Sequence, residues 1–170
     1  TAETIGALSE YVDIWLPDLK YYSPILSRRY SQAEDYFAVA SRAVEQMIRL
    51  TGPPEFGEYK DKRSGTACSI LRKGVIIRHM VLPRHKDDSI RLLYWMKDTL
   101  PKGGFLISLM SQYTPFYRSA DYPEINRRIT TYEYEKVLNT AIELGLTDGF
   151  MQEKSSAKEE YTPPFELEGL

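Results

Sequence analysis

Short apolar runs separated by helical stripes make up most of the chain. Four of these runs have the length and composition of buried strands. Pro17 closes the first run and Pro83 closes the second, because proline cannot donate to a sheet ladder. The predicted strands are residues 12–16 (VDIWL), 74–82 (GVIIRHMVL), 105–110 (FLISLM) and 149–152 (GFMQ).

Helical periodicity fills the segments between these runs. A short helix is predicted over residues 3–11. Ser31 and Glu34 have the spacing of a capping box, so a second helix should begin there. Apolar residues at steps of three and four continue this helix as far as Gly52, which ends it. Residues 55–73 are polar and weakly periodic, and we assign no element to them.

Two further helices are predicted after the second and third strands. Asp87, Asp88 or Ser89 can cap the first of them. Thr130 and Glu133 form a second capping box, which opens the other. Strands that alternate with helices of this length indicate parallel βα units, because parallel neighbours need a long crossover connection. The predicted fold class is therefore α/β.

The pattern leaves two architectures open. Four βα units are half of a (β/α)₈ barrel, which takes about 250 residues, and they are also enough for a small doubly wound sheet. Length does not decide between them. We assign residues 1–153 to the βα units and residues 154–170 to a charged, proline-containing tail.

Composition excludes several classes of function. The 170 residues carry a formal net charge of −2 and no basic stripe, so nucleic acid is not an expected partner. The apolar runs fall below the roughly 18 residues that cross a bilayer. A single cysteine excludes an internal disulfide framework and fits a reducing, cytoplasmic setting. Because Thr1 leads directly into a predicted helix, without a secretory signal, we expect the chain to be part of a longer polypeptide.

Polar residues at the ends of the strands are the candidates for function, since sites of α/β proteins lie at the carboxyl edge of the sheet. Asp18 and Lys20 follow the first strand and share one face if the strand continues. They suit either a surface ion pair or a charged ligand. Arg78 interrupts the apolar second strand, so it requires an anionic partner, either a protein carboxylate such as Asp18 or a ligand.

The two histidines are weaker candidates. We interpret His79 as a hydrogen-bonded core histidine and His85 as a solvated loop residue. Gln112 supplies a hydrogen-bonding group beyond the third strand, and the 13 tyrosines suit either packing or the wall of a site for a flat ligand. Phosphate-binding glycine loops, a GxSxG elbow, an HExxH helix and metal-ligand spacings do not occur in the sequence.

Four segments, taken together, resemble the carboxyl-terminal half of radical S-adenosylmethionine (SAM) enzymes, and in particular the homologues of the pyruvate formate-lyase activating enzyme. The segments are LPDLKYY (16–22), GVIIRHMVLPRHKDDS (74–89), FLISLMSQYTP (105–115) and TTYEYEKVLNTAIELGLTDGFMQ (130–152). The resemblance implies that the chain forms the C-terminal part of a partial TIM-like barrel.

The same resemblance implies the chemistry of a longer parent protein. In that family a CxxxCxxC loop binds a [4Fe-4S] cluster, and SAM occupies the open iron. Reductive cleavage of SAM then yields a 5′-deoxyadenosyl radical, which abstracts hydrogen from a glycyl radical enzyme or from another substrate. We therefore expect the parent to be an activase-like oxidoreductase. Because the cysteine loop does not occur in this sequence, we expect the chain alone to be inactive.

Position by position, the resemblance assigns five residues to SAM. Asp18 and Lys20 match the family's DLK residues, which lie beside the methionyl part of SAM. Arg78 matches an arginine near the ribose and carboxylate, and the backbone around Met80 matches a segment against the adenine. Gln112 stands where the activating enzyme has a histidine. The alternative hypothesis is a non-catalytic module that forms a homodimer through an exposed sheet edge.

Overall fold

The computed structural model describes residues 2–60 and 66–151, without the side chains of residues 150 and 151. Helices connect the parallel strands of one sheet in this part of the chain, which confirms the α/β class. The predicted tail, residues 154–170, lies outside the described residues. The elements are α1 (Ala2–Leu8), β1 (Ile14–Trp15), α2 (Pro24–Ser31), α3 (Tyr36–Thr51), β2 (Glu55–Lys60), β3 (Ala67–Met80), α4 (Lys86–Thr99), β4 (Leu106–Met110), a 3₁₀ helix (Tyr117–Asp121), α5 (Thr131–Glu143) and β5 (Gly149–Met151).

The main sheet is parallel, and its strands follow one another in chain order. Strands β1, β3, β4 and β5 lie side by side in that order, and each neighbouring pair is parallel. Arg78 of β3 lies beside Ser108 of β4, which sets the register at the centre of the sheet. A doubly wound sheet reverses its strand order at a switch point. The described strands contain no such reversal.

Three helices cover one face of this sheet. Alternate residues of β3 and β4, among them Val75, Ile77 and Leu109, are buried against α3, α4 and α5 in a single core. The opposite face is more open, because Ile76 and Met80 are only half-buried and Leu16 is exposed. Parallel crossovers are nearly always right-handed, and right-handed crossovers that all advance in one direction place their helices on the same side, in agreement with this arrangement.

The helix predicted to start at Ser31 begins later. Ser31 is the last residue of α2, a helix that the sequence pattern did not indicate, and α3 starts at Tyr36. Pro24 occupies the first turn of α2, where its fixed φ and missing N–H are tolerated. Glu34 forms an ion pair with Arg28 at 3.0 Å instead of closing a capping box. The predicted capping box at Ser31 is therefore wrong.

The other two helix starts have different outcomes. His85 occupies the N-cap position of α4, so none of the three proposed caps holds that position. The second capping box is confirmed: Thr130 Oγ1 accepts a hydrogen bond from the Glu133 N–H at 3.2 Å, and the Glu133 carboxylate accepts from the Thr130 N–H at 2.9 Å. No helix within residues 2–60 and 66–151 is long and apolar enough to span a bilayer.

Within the segment to which the sequence pattern assigned no element, residues 55–60 and 67–73 form two paired strands. Strand β2 pairs antiparallel with the first half of β3, from Glu55 beside Lys73 to Lys60 beside Ala67. Strand β3 therefore begins well before the predicted residue 74. Phe56 and Tyr59 are exposed on β2, and without a buried face the segment lacks the alternation that identifies strands.

Candidate functional site

The chain continues alongside the sheet after β1 ends. The Arg78 N–H donates to the Pro17 carbonyl and the Leu19 N–H donates to the Arg78 carbonyl, both at 2.9 Å. These two bonds form a parallel bridge that places Asp18 beside Arg78. Proline at position 17 is compatible with this extension because only its carbonyl is used. The predicted meeting of the first two strands at one edge is therefore confirmed.

Asp18, Lys20 and Arg78 form one charged cluster at this edge. Arg78 Nη2 lies 2.6 Å from Asp18 Oδ1, and Lys20 Nζ lies 3.5 Å from Asp18 Oδ2. The carboxylate thus has one cation on each oxygen, and the cluster keeps an excess positive charge. The expected anionic partner of Arg78 is present. Arg78 is 42% exposed because it points to the open face of the sheet, so the ion pair stabilises the fold by less than about 1 kcal/mol.

One donor of this cluster has no partner. Arg78 Nε is buried from solvent and makes no hydrogen bond to any group in the described part of the chain. A buried N–H without an acceptor is costly and is rare in folded proteins. The guanidinium therefore offers a donor that an incoming ligand oxygen could satisfy.

Two side chains hold the backbone between Asp18 and Lys20 in place. The Tyr36 hydroxyl, at the start of α3, donates to the Asp18 carbonyl at 2.9 Å and accepts from the Lys20 N–H at 3.0 Å. His79 Nδ1 lies 2.7 Å from the Leu19 carbonyl and donates to it. His79 is 1% exposed, and burial lowers its pKa, so it is a neutral core histidine as predicted.

Met80 and Gln112 lie on the same edge of the sheet but outside the charged cluster. Met80 pairs with Met110 at the ends of β3 and β4, and Gln112 follows two residues later and is half-buried. Neither side chain forms a hydrogen bond or ion pair with Asp18, Lys20 or Arg78 within the described residues. The structure thus brings three of the five proposed residues into contact.

Asp88 connects this edge to α4. Its two carboxylate oxygens accept hydrogen bonds from the N–H groups of Tyr22 and Ser23, each at 2.9 Å. Asp88 is 8% exposed, and the two N–H groups follow directly after the Lys20 loop. A side chain proposed from the sequence as a helix cap therefore fixes the loop that leads from the site into α2.

Replacing Asp88 with alanine should lower the free energy of unfolding by about 2 kcal/mol, because two N–H groups lose their acceptors in a poorly hydrated position. Asp87 is the matched control, since its carboxylate is 76% exposed and its ion pair in the described part of the chain is with Lys86. Asp87→Ala should change the free energy by less than about 0.5 kcal/mol. Urea unfolding followed by circular dichroism measures both, and equal losses would show that the Asp88 bonds do not anchor the loop.

A second polar cluster on the same edge was not predicted. The Tyr30 hydroxyl lies 2.7 Å from His85 Nε2 and donates to Glu124 Oε1 at 2.8 Å, and Arg29 pairs with the same oxygen at 2.7 Å. His85 is half-buried, so the prediction that it is a solvated loop residue is wrong, and burial lowers its pKa. Glu124's own backbone N–H and the Tyr30 hydroxyl lower the pKa of Glu124 to about 2. The cluster joins α2 to the loops that follow β3 and β4.

Sequence comparison finds a relative of unknown activity. The chain is 29% identical over 143 residues to an uncharacterized protein of Methanocaldococcus jannaschii. The match covers 83% of the chain and 35% of that relative, so the chain spans about a third of the relative's length. No family model matches the chain. No solved structure matches it.

Proposed function

We propose that the chain forms part of the SAM-binding wall of a radical SAM enzyme that resembles the pyruvate formate-lyase activating enzyme. The observation that carries the proposal is the contact between Asp18, Lys20 and Arg78 at the carboxyl edge of a parallel sheet. These are three of the five residues that the sequence resemblance assigns to SAM. A sheet whose strands keep chain order and whose helices cover one face also suits one side of a partial barrel.

The charged cluster fits the methionyl end of SAM. Lys20 and the free Nε–H of Arg78 are donors for its carboxylate, and Asp18 is an acceptor for its ammonium group. Met80 follows Arg78 by two residues in β3, so its half-buried side chain lies on the same open face and suits an apolar contact with the adenine. When SAM is bound at a reduced iron–sulfur cluster, it supplies an organic radical that removes hydrogen from a substrate.

The iron–sulfur cluster itself does not fit the residues of this chain. Cys68 is exposed on β3 and is the single cysteine, whereas the family's cluster needs three thiolates. The described residues also contain no group of three His, Cys, Asp or Glu side chains that could hold a metal ion. In this proposal the cluster ligands come from another part of a longer, cytoplasmic enzyme, and the substrate is a glycyl radical enzyme or another hydrogen donor.

SAM should bind weakly to the folded chain and should perturb the amide signals around the charged cluster in NMR titrations. Lys20→Met and Arg78→Met should each weaken binding by about tenfold, because each removes a charged partner of the carboxylate. Lys97→Met, on the exposed face of α4, is the control and should leave the affinity unchanged. If SAM leaves these signals unperturbed at millimolar concentration, or if Lys97→Met weakens binding equally, the assignment of the site is wrong.

The chemical step is tested separately in the longer protein. After reconstitution with iron and sulfide and then reduction, that protein should release 5′-deoxyadenosine. An intact cluster without 5′-deoxyadenosine release would contradict the proposed activity.

The alternative, a self-associating module, rests on the exposed first edge of the sheet. Strand β1 is two residues long, and Leu16 directly after it is 52% exposed. Sedimentation analysis of the chain separates the hypotheses: a dimer that Leu16→Lys dissociates, together with no SAM binding, favours the module.

A further inference from the structure

A cavity lined by aromatic side chains opens beyond the charged cluster at the same edge of the sheet. Its volume is about 360 Å³, which falls in the range of roughly 300–1,000 Å³ that is usual for small-molecule sites. Leu82 and Tyr113, which follow β3 and β4, contribute to its walls. The aromatic residues of the lining are Tyr21, Tyr30, Tyr113, Phe116, Tyr117 and Tyr122.

Three of these tyrosines are held in place by their hydroxyl groups. The Tyr30 hydroxyl is bound to His85 and Glu124, the Tyr122 hydroxyl donates to the Arg29 carbonyl at 3.0 Å, and the Tyr21 hydroxyl pairs with Ser31 at 3.0 Å. The rings of Tyr30 and Tyr122 pack edge to face with centroids 5.2 Å apart. Because these hydroxyls already have partners, and because the Arg29 guanidinium lies over the rings of Tyr30 and Tyr122, the three tyrosines form a fixed wall of the cavity.

Two other aromatic residues of the cavity are exposed to an unusual extent. Phe116 and Tyr117 are 77% and 82% exposed at adjacent positions. Tyr117 also has a φ of 53°, in the left-handed region that residues other than glycine, asparagine and aspartate seldom adopt. Strained backbone and large exposed apolar side chains both concentrate at binding sites. Both features occur here in residues that line one cavity, which makes this cavity a candidate binding site.

The charge of the lining determines which ligand suits it. Arg118 is the charged side chain among the described residues of the lining, and its partner Asp121 is 3.6 Å away with both side chains exposed. Burial and the hydrogen bond to Glu124 raise the pKa of Tyr30 to about 12, so this phenol stays neutral. The Glu124 charge is already paired with Arg29. Aromatic cages often bind cations, but here Arg118 would repel one.

We propose that this cavity binds a small planar aromatic acid, with the ring between the tyrosines and the carboxylate paired with Arg118. None of the three residues of the charged cluster lines the cavity. The site is therefore separate from the one proposed for SAM, and its occupancy can be measured without SAM. The proposal stands or fails independently of the radical chemistry.

Three matched probes test the ring and the charge. 3-Phenylpropionate carries both, 3-cyclohexylpropionate keeps the charge without a planar ring, and 3-phenylpropanamide keeps the ring without the charge. In saturation-transfer NMR and calorimetry with the whole chain, 3-phenylpropionate should bind at least about fivefold more tightly than either analogue. Equal binding of all three, tighter binding of phenyltrimethylammonium, or no binding of 3-phenylpropionate at millimolar concentration would overturn the proposal.

Two variants with matched controls locate the site. Arg118→Gln and Phe116→Ala should each weaken binding of 3-phenylpropionate by about fivefold to tenfold, through loss of the charged partner and of the aromatic contact. Arg91→Gln and Tyr132→Ala are the controls, because both residues are exposed on helices outside the cavity. Unchanged affinity in both cavity variants, with their circular dichroism spectra intact, would show that the acid binds elsewhere and would refute the assignment.

Discussion

Glu133→Ala should lower the free energy of unfolding by about 3–4 kcal/mol, a large part of the stability of a domain of this size. Glu133 is 7% exposed, and its carboxylate accepts five hydrogen bonds, one of which closes the capping box that opens α5. Arg127 donates two of them, at 2.7 and 2.9 Å, and the Arg84 N–H donates another at 2.6 Å. Alanine leaves the guanidinium and two backbone donors without their acceptor, which costs more than the pair contributes.

Thermal unfolding measures this loss directly. Since 1 kcal/mol corresponds to about 2–4 °C in a domain of this size, the midpoint should fall by about 10 °C. Glu135→Ala is the control, because Glu135 lies in the same helix and is exposed. A midpoint that moves by the same small amount in both variants would mean that the Glu133 contacts contribute nothing to stability.

Acid titration checks the same group in a second way. The hydrogen bonds from Arg127 hold the pKa of Glu133 well below its usual range. A carboxyl group whose pKa is depressed by folding stabilises the protein fully above its unfolded pKa of about 4.3, and the contribution is lost as the pH falls towards the folded value. Glu133→Gln should therefore lose less stability than the wild type between about pH 5 and pH 2. Parallel curves for the two proteins would contradict the assigned role.

The Glu133 site shows what local pattern can and cannot predict. The spacing of Thr130 and Glu133 is a short-range signal, and the capping box forms as expected. The bonds from Arg84 and Arg127 depend on how two loops meet, which no spacing along the chain encodes. The carboxylate that closes the cap therefore also connects the loop after β3 to α5.

The charged cluster, like the sheet, was predictable from the order of strands and helices along the chain. Parallel strands end at one edge, so residues after β1 and residues near the end of β3 had to meet, and Asp18 does contact Arg78. His85 was misjudged because its partner Tyr30, and Glu124 to which Tyr30 donates, are far from it along the chain. The sequence left open whether the tyrosines serve packing or the wall of a site, since the aromatic cavity needs three loops in their final positions. In each case the missing information was the packing of loops, not the class of fold.

Ile77→Ala should lower the free energy of unfolding by about 3–4 kcal/mol, whereas Ile76→Ala, one residue earlier in the same strand, should lower it by only about 1 kcal/mol. Ile77 is fully buried beside Ile107 in the core under α3, α4 and α5. Ile76 is only half-buried and points to the open face. The same substitution in one strand thus compares the two faces with strand propensity held constant.

Chemical unfolding of the two variants, with Ile107→Ala as a second core position, distinguishes the architectures. A doubly wound sheet covers both faces, and so does a dimer packed through the open face, so either would make the two losses nearly equal. A sheet that forms one side of a barrel predicts the unequal losses for the isolated chain. It also predicts that the Ile76→Ala loss rises towards that of Ile77→Ala in a longer protein, where further strands would enclose the open face. Equal losses in the isolated chain at protein concentrations where it is monomeric would reject the barrel arrangement.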